Sequence, residues 1–389
     1  MLRAMTSKLK ESGGGEAISE RRRLHALWYF GQTFVIGLDL YIVSPLLPAI
    51  SRHYGQPASR VSFLITAFAL TYAAFSPIWG VFADRYPRRL LGLLSLSLFQ
   101  AGDVITALQP AFAWLVFSRS LAAAGAAGFT PTLYAYIADT TPLETRGGTM
   151  SVASAGFSTA TFLGIPIGLM IANIWSWSAA FWLVFVLSLF SWMVSWRVWK
   201  PTPLPQASHP PRICPAPELA WNYGLTVLAF ASFGSVYTYL PLDLIRHHHF
   251  ATTQLTWFMT AFGLFGLLGT LAAGYLSDRA GRVTVIRFGL MAEVLLLLGL
   301  RQHWRGSLLW VNLLLFSMVT SYTPVLKALA SSKGAKGLAL SWNNAAMYFG
   351  LSAGSWAMAA VWTRGMSAIY LGATVFTTGA FVLSLRLRT

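Results

Sequence analysis

The sequence predicts an all-α membrane protein, with twelve transmembrane helices arranged in two pseudo-symmetric six-helix halves. Three observations carry this expectation. Of 389 residues, 56% are hydrophobic and only 10% are charged, whereas soluble domains hold nearer a quarter charged residues. Apolar runs long enough to cross a bilayer, about 20 residues each, recur along the whole chain. Finally, the stretch GVFADRYPRR at 80–89 returns as GYLSDRAGRV at 274–283. One offset of 194 residues lays Gly80 on Gly274, Asp84 on Asp278, Arg85 on Arg279 and Arg88 on Arg282. The same offset lays Thr66, Ala67, Phe68 and Leu70 on Thr260, Ala261, Phe262 and Leu264. A duplicated half-protein explains this register, and membrane transporters are often built from such repeats.

In chain order, residues 1–25 are a polar, basic tail with three glycines at 13–15 and Arg3, Lys8, Lys10, Arg21, Arg22 and Arg23. It reads as a flexible cytoplasmic segment that sets topology. Near anionic headgroups each such base is worth about 1 kcal/mol. The N-terminal half, 26–197, holds spans at 26–50, 61–83, 90–109, 112–137, 147–172 and 175–197. Helix 1 has a basic flank, but it is too long for a signal-peptide core and has no A-x-A-like end, so it reads as a retained span. Residues 198–218 form a linker with seven prolines, a composition that favours extended, semi-stiff chain. The C-terminal half, 219–389, holds spans at 219–243, 254–277, 283–301, 307–329, 337–361 and 366–386. The 16 Trp and 14 Tyr suit membrane interfaces.

The distribution of charge predicts orientation. With the N-terminus inside, 21 Lys or Arg fall in the tail, the loops of that side and the C-terminus, against six on the other side: Arg52, Arg60, Arg246, Arg301, Arg305 and Arg364. Positive residues mark the cytoplasmic face, so both termini are expected in the cytoplasm, with the chain integral to the plasma (inner) membrane. The net charge of +16 is spread over these short loops, which argues against a nucleic-acid partner. Cys214 is the single cysteine, so no intramolecular disulfide can form. There is no Walker loop and no spacing of ligands for structural zinc. His247, His248 and His249 are adjacent and poorly placed for a closed metal site, so they read as a solvated loop. No catalytic constellation or cofactor motif appears, and an enzyme is not expected.

The repeated Gly-x-x-x-Asp-Arg-x-x-Arg loop, placed after the second helix of each half, resembles the signature loop of the major facilitator superfamily. The resemblance extends from about Leu24 to Leu387. Pro87 stands where the family usually has glycine, while Gly281 keeps it. Proline holds φ near −65° and glycine admits positive φ, so the two loops are expected to turn differently. The resemblance implies the MFS fold, with a substrate site near the midplane between the halves. It also implies a latch of Gly80, Asp84, Arg85, Arg88, Arg89, Gly274, Asp278, Arg279 and Arg282 that holds the cytoplasmic side shut in the outward-open state.

Ionisable residues inside a span are expensive and usually face a cavity or a partner. Asp39 lies mid-helix 1 in GLDLYIVSPLLP, with no base within a few turns of chain. A low-dielectric environment disfavours the charged carboxylate, which suits a group that binds and releases a proton. Similar Asp residues occur in helix 1 of the drug:proton antiporters of the family. Asp103 and Arg119 flank the hairpin at Pro110 at similar depth, about 10 Å in at 1.5 Å per residue, and are expected to pair. Family members carry an Arg in helix 4 within R-x-x-x-G, whereas here Gly125 lies six residues after Arg119. Glu293 in helix 9 reads as a structural carboxyl, protonated or bonded to a neighbouring helix. Asp243 and Lys327 near span ends also read as structural.

Helix 5 contains GFSTATFLGIPIG, in which Gly156, Gly164, Pro166 and Gly168 resemble the exporter motif, especially its form in arabinose-efflux-type permeases. Simple small-residue packing is the alternative reading. The following WSWSAAFWL resembles their G-W-R-x-x-F segment, with Ser178 at the Arg position. On helices 1, 4, 7 and 10, which line the cavity in the family, the candidates are Tyr41, Ser44, Thr130, Tyr134, Tyr237, Tyr239 and Asn312. The expected function is proton-coupled efflux of a small neutral or amphipathic organic solute by a monomeric secondary transporter. A sugar-efflux permease, a proton-independent facilitator, and a polytopic receptor or scaffold are the alternatives.

Overall fold

A computed structural model describes residues 2–83, 85–109, 111–200, 219–301, 307–322, 325–326, 329 and 336–387. The N-terminal half contains α1 (Leu2–Tyr54), α2 (Phe63–Ala83, led in by the turn Ala58–Val61), α3 (Arg88–Ala107), α4 (Phe112–Thr140), α5 and α6 (Trp177–Val198). α5 comes in two pieces, Leu143–Thr159 and Ile165–Ile174. The C-terminal half contains α7 (Ala220–Arg246), α8 (Thr252–Ala280), α9 (Arg282–Leu300), α10 (Ser307–Val319), α11 (Lys336–Ala359) and α12 (Met366–Ser384). Among the described residues, nine helices are individually long and apolar enough to cross a bilayer, and the bent α5 makes a tenth. Several carry internal prolines, such as Pro45, Pro77 and Pro241, which membrane helices tolerate where neighbours re-satisfy the backbone.

Three segments differ from the sequence expectation. α1 continues back to Leu2 instead of beginning after an irregular tail, and no proline lies in that stretch to stop it. α5 bends by 42° at a π-helical turn, Ala160–Gly164, just before Pro166; inserted π turns and prolines are the usual sites of such bends. α10 ends at Val319 rather than running to 329. The Tyr322 carbonyl then accepts from the Val325 and Leu326 amides at 3.0 and 3.2 Å, so helical bonding restarts there. Pro324 follows in the sequence, and a proline ring clashes with a helical carbonyl four residues before it, here that of Thr320, the first residue past the helix.

Within the first half, α1 packs on α5 and α6, α2 on α4, and α3 on α4 and α6; within the second, α7 packs on α11 and α12, α8 on α10, and α9 on α10 and α12. The halves meet through α1 with α7, α2 with α11, and α5 with α8. Both signature loops lie at the end of the bundle that carries the chain termini, called here the termini end. The linker expected at 198–218 begins inside the first half. Trp199 is 1% exposed, stacks on Tyr136 with centroids 4.6 Å apart, and lies so close over Gly92 that a Cβ there would collide with its ring. Residues 201–218 lie outside the described residues.

Candidate functional site

α1, α3 and α4 bring three ionisable groups to one buried point. The Arg119 guanidinium donates from Nη1 to Asp39 Oδ1 at 2.6 Å and from Nη2 to Asp39 Oδ2 at 2.8 Å. Asp103 Oδ1 lies 3.5 Å from Nη1. Asp39 and Asp103 are 0% exposed and Arg119 is 1% exposed. The fork onto Asp39 is the bidentate geometry that Arg favours with carboxylates. The guanidinium also sits 4.8 Å from the Phe68 centroid and 5.3 Å from that of Phe181, both within cation–π range. Two contacts are incomplete: Asp103 Oδ2 and Arg119 Nε have no hydrogen-bond partner among the described residues.

The pair expected from sequence, Asp103 with Arg119, is present at 3.5 Å, but the reading of Asp39 is corrected. Asp39 is not isolated, and Arg119 engages it ahead of Asp103. Asp39 and Arg119 are 80 positions apart, and only the packing of α1 beside α4 brings them together. The aromatic faces of Phe68 and Phe181 were not legible as part of the site.

α5 meets α1 through the glycines of the exporter-like motif. A Cβ on Gly156 would collide with the Phe30 carbonyl and the Thr33 hydroxyl, on Gly164 it would press on Leu38, and on Gly168 it would collide with Ile42. These residues allow α5 to lie against the stretch of α1 that carries Asp39, so small-residue packing is their observed role.

The cavity candidates separate into groups. Tyr41 sets its ring edge-on to Tyr237 (6.0 Å) and Phe157 (5.8 Å). The Tyr237 hydroxyl donates to the Tyr41 carbonyl at 2.8 Å, and the Ser44 hydroxyl donates to the Tyr237 carbonyl at 2.6 Å. These residues join the two halves. Tyr134 shares a 2.8 Å hydrogen bond with Ser154, and the Thr130 hydroxyl donates within α4 to Ala126. Tyr239 belongs to the seal between halves at the end opposite the termini: its hydroxyl meets Ser62 at 2.8 Å and donates to the Ser355 carbonyl at 3.0 Å, while its ring stacks on Trp362. The Asn312 amide lies beside Gly299 of α9. Unforeseen partners complete the interface. Tyr72 and Tyr348 stack across the halves at 3.7 Å, Ser352 donates to the Thr66 carbonyl at 3.2 Å, and Ser341 lies beside Gly80. Two recesses of about 230 and 400 Å³ border Arg60 at the opposite end, away from Asp39.

In the first signature loop, Pro87 has φ −58°, whereas Gly281 has φ 85°, so the two copies turn differently as expected. Arg88 reaches Asp139 of α4 at 3.2 Å and also the Ala83 carbonyl, and Arg89 donates to the Trp196 carbonyl of α6 at 2.7 Å. Arg279 lies over the Tyr275 ring at 4.4 Å, and Arg85 is exposed. Asp84, Cys214 and Lys327 lie outside the described residues, as does the side chain of Asp278. His247 and His248 are not simply solvated: both approach Asp243, at 2.9 and 3.6 Å.

A bundle in two six-helix halves, with duplicated basic loops and a buried ion cluster beside the axis between halves, invites comparison with known transporters. The sequence profile of the Major Facilitator Superfamily matches residues 29–220 and 223–389. The chain belongs to the Major Facilitator Superfamily. Among superfamily relatives it is similar to the MFS-type transporter YceJ of Bacillus subtilis, 28% identical over 94% of this chain and 95% of that one. It is also similar to the multi-drug resistance efflux pump PmrA of Streptococcus pneumoniae, 32% identical over 43% of this chain and 42% of that one. Among solved superfamily structures, a D-xylose–proton symporter aligns with TM-score 0.76 at 15% identity, covering 92% of this chain and 95% of that one. The human organic anion transporter MFSD10 aligns with TM-score 0.73 at 18% identity, covering 93% and 99%. The chain is thus a multi-pass membrane transporter with the superfamily fold.

Proposed function

We propose that this protein exports a small neutral or amphipathic organic solute in exchange for protons, with Asp39, Asp103 and Arg119 as the coupling centre. The observation that carries the reading is the buried cluster of two carboxyls and one guanidinium. With both acids ionised the cluster holds one uncompensated negative charge, and buried charges are costly unless paired. One bound proton makes it neutral. Asp39 already takes both arms of Arg119, so Asp103, with its free Oδ2, is where that proton sits. Displacement of Asp39 from Arg119 by a shift of α1 against α4 within the first half would change the number of protons that keep the cluster neutral. Such a change ties proton release to conformation, because a ligand shifts an equilibrium only through its differential affinity for the two states.

The proposed substrate site lies between the halves at Tyr41, Tyr237, Tyr72 and Tyr348, near Thr130 and Tyr134. Aromatic faces dominate there and no unpaired cation is present among the described residues, which suits a flat or amphipathic solute. Similarity to multidrug efflux pumps supports export, while the solved neighbours include carriers of a sugar and of organic anions. The asymmetry of basic residues supports cytoplasmic termini in the cell membrane. The seal formed by Ser62, Tyr239, Ser44 and Tyr237 then faces outward, and the signature loops supply the opposing latch. The test is flux in proteoliposomes containing the purified protein. Asp39→Asn and Asp103→Asn are expected to abolish accumulation driven by a pH gradient while leaving counterflow. Unimpaired uphill transport in both variants would remove these acids from the coupling, and a wild-type protein that shows counterflow but no accumulation under a pH gradient would be a proton-independent facilitator instead.

A further inference from the structure

Among the described residues, Glu293 is the fully buried carboxyl that the coupling centre does not use. It lies in the middle of α9, 0% exposed. Each of its contacts comes from a different helix or segment. The hydroxyls of Ser232 (α7, 2.7 Å) and Thr377 (α12, 3.0 Å) donate to Oε1, and that of Tyr322, at the break after α10, donates to Oε2 at 3.0 Å. Ser232 and Thr377 are also 2.8 Å apart. None of these contacts is a cation. On the helices packed around it, Arg287 of α9 is spent on the Ser384, Leu385 and Leu387 carbonyls. Arg279 of α8 lies over Tyr275, and Arg386, beyond α12, lies over Trp221. Asp243 of α7 is taken up by His247 and His248. Arg282 and Arg246 stand at the ends of α9 and α7, remote from the mid-helix Glu293, and the remaining titratable groups on these helices, among the described residues, are tyrosines. Tyr237 and Tyr239 bond elsewhere, and among the described residues the carboxyl's hydrogen bonds come from Ser232, Thr377 and Tyr322, not from Tyr223 or Tyr370.

We propose that Glu293 is a second proton-binding site, and that its occupancy controls the position of Tyr322 at the break in α10. Hydroxyls both donate and accept, so a shell built only of them solvates either form. As a carboxylate, Glu293 accepts from Ser232, Thr377 and Tyr322. On protonation the acid O–H becomes a donor, Thr377 turns its hydrogen to the Ala373 carbonyl, which already lies 3.0 Å away, and the pull on Tyr322 weakens. One proton exchanged with water balances the charge without another group. A static ion pair would have required a cation, and a purely apolar packing role would not recruit hydroxyls from two helices and the break after a third to one carboxyl. The site also adjoins the interface between halves. Phe233, next to Ser232 on α7, stacks on Tyr237 at 5.2 Å, and Tyr237 holds the Tyr41 carbonyl.

The proposal does not depend on the role of Asp39, and its test needs no substrate. Infrared difference spectra of the purified protein, recorded between acidic and alkaline pH, are expected to contain a protonated-carboxyl band that Glu293→Gln removes. Tyr322→Phe keeps the carboxyl, so the band is expected to remain while the pH at which it disappears moves. Hydrogen–deuterium exchange over 319–326 is expected to be faster in Glu293→Gln than in the wild type at alkaline pH, and equal to it at acidic pH. Should Glu293→Gln fail to fold, the Tyr322→Phe titration decides alone. Absence of a Glu293-dependent band, or an unmoved titration in Tyr322→Phe, would overturn the proposal by showing a carboxyl that never changes state.

Discussion

Neutralising Asp39 is the sharpest test of the coupling centre, because the three members of the cluster are not equivalent. Asp39→Asn removes one negative charge and leaves Arg119 facing Asp103 across 3.5 Å. The remaining pair is neutral without any proton, so the variant loses the reason to bind one. Removing one partner of a buried ion pair costs about 3–5 kcal/mol when the other charge is stranded. Here Asp103 is at hand to compensate, and Asn keeps one acceptor for the guanidinium. The loss should therefore be nearer that of one charge-assisted hydrogen bond, about 1.5–3 kcal/mol. Arg119→Ala has no such relief and should suffer the full 3–5 kcal/mol. Asp103→Asn breaks only the long contact and leaves the Asp39 fork intact, so its loss should be about 1 kcal/mol or less. The expected order of destabilisation is Arg119→Ala, then Asp39→Asn, then Asp103→Asn, read by unfolding of the purified protein in detergent. A double-mutant cycle should show stronger coupling for Asp39 with Arg119 than for Asp103 with Arg119. Additive losses in the Asp39–Arg119 cycle, or greater damage from Asp103→Asn than from Asp39→Asn, would refute the reasoning.

Three further outcomes are expected. Gly156→Ala places a Cβ against the Phe30 backbone, where the neighbour cannot swing aside, and should cost about 1–3 kcal/mol of stability, measured as a shift in thermal unfolding. Tyr237→Phe deletes the donor to the Tyr41 carbonyl, worth about 0.5–1.5 kcal/mol. It should raise labelling of cysteines placed near Ser44 from outside the cell; unchanged labelling would remove that bond from the seal. Asp84→Asn should shift the population away from the latched, outward-open state, about tenfold for each 1.4 kcal/mol lost, and Asp278→Asn should shift it by a different amount because Pro87 and Gly281 shape the two loops differently. Spin-label distances across the termini end report both, and unchanged distributions in well-folded Asp84→Asn protein would sink the latch.

Much of the architecture was legible from residue order alone, because a bilayer imposes a local rule. Every spanning segment must be apolar over roughly 20 residues and must satisfy its own backbone, so the helices could be read without knowing any distant contact, and the duplicated loop at 80–89 and 274–283 carried the resemblance to the superfamily. The contrast between Pro87 and Gly281 was legible for the same reason, since φ is a property of the residue itself. Asp39, Arg119 and Asp103 were recognisable as costly intruders in apolar runs, but their pairing was not. Positions 80 residues apart become neighbours only when the glycines of α5 let α1 settle close and α4 packs beside it. The burial of Trp199 over Gly92, and the gathering of Ser232, Tyr322 and Thr377 around Glu293, are likewise products of tertiary packing. Local sequence specifies where polar groups enter the membrane, whereas the three-dimensional arrangement of helices specifies which of them meet, because in a low-dielectric interior a polar group's partner is chosen by proximity across helices and not by distance along the chain.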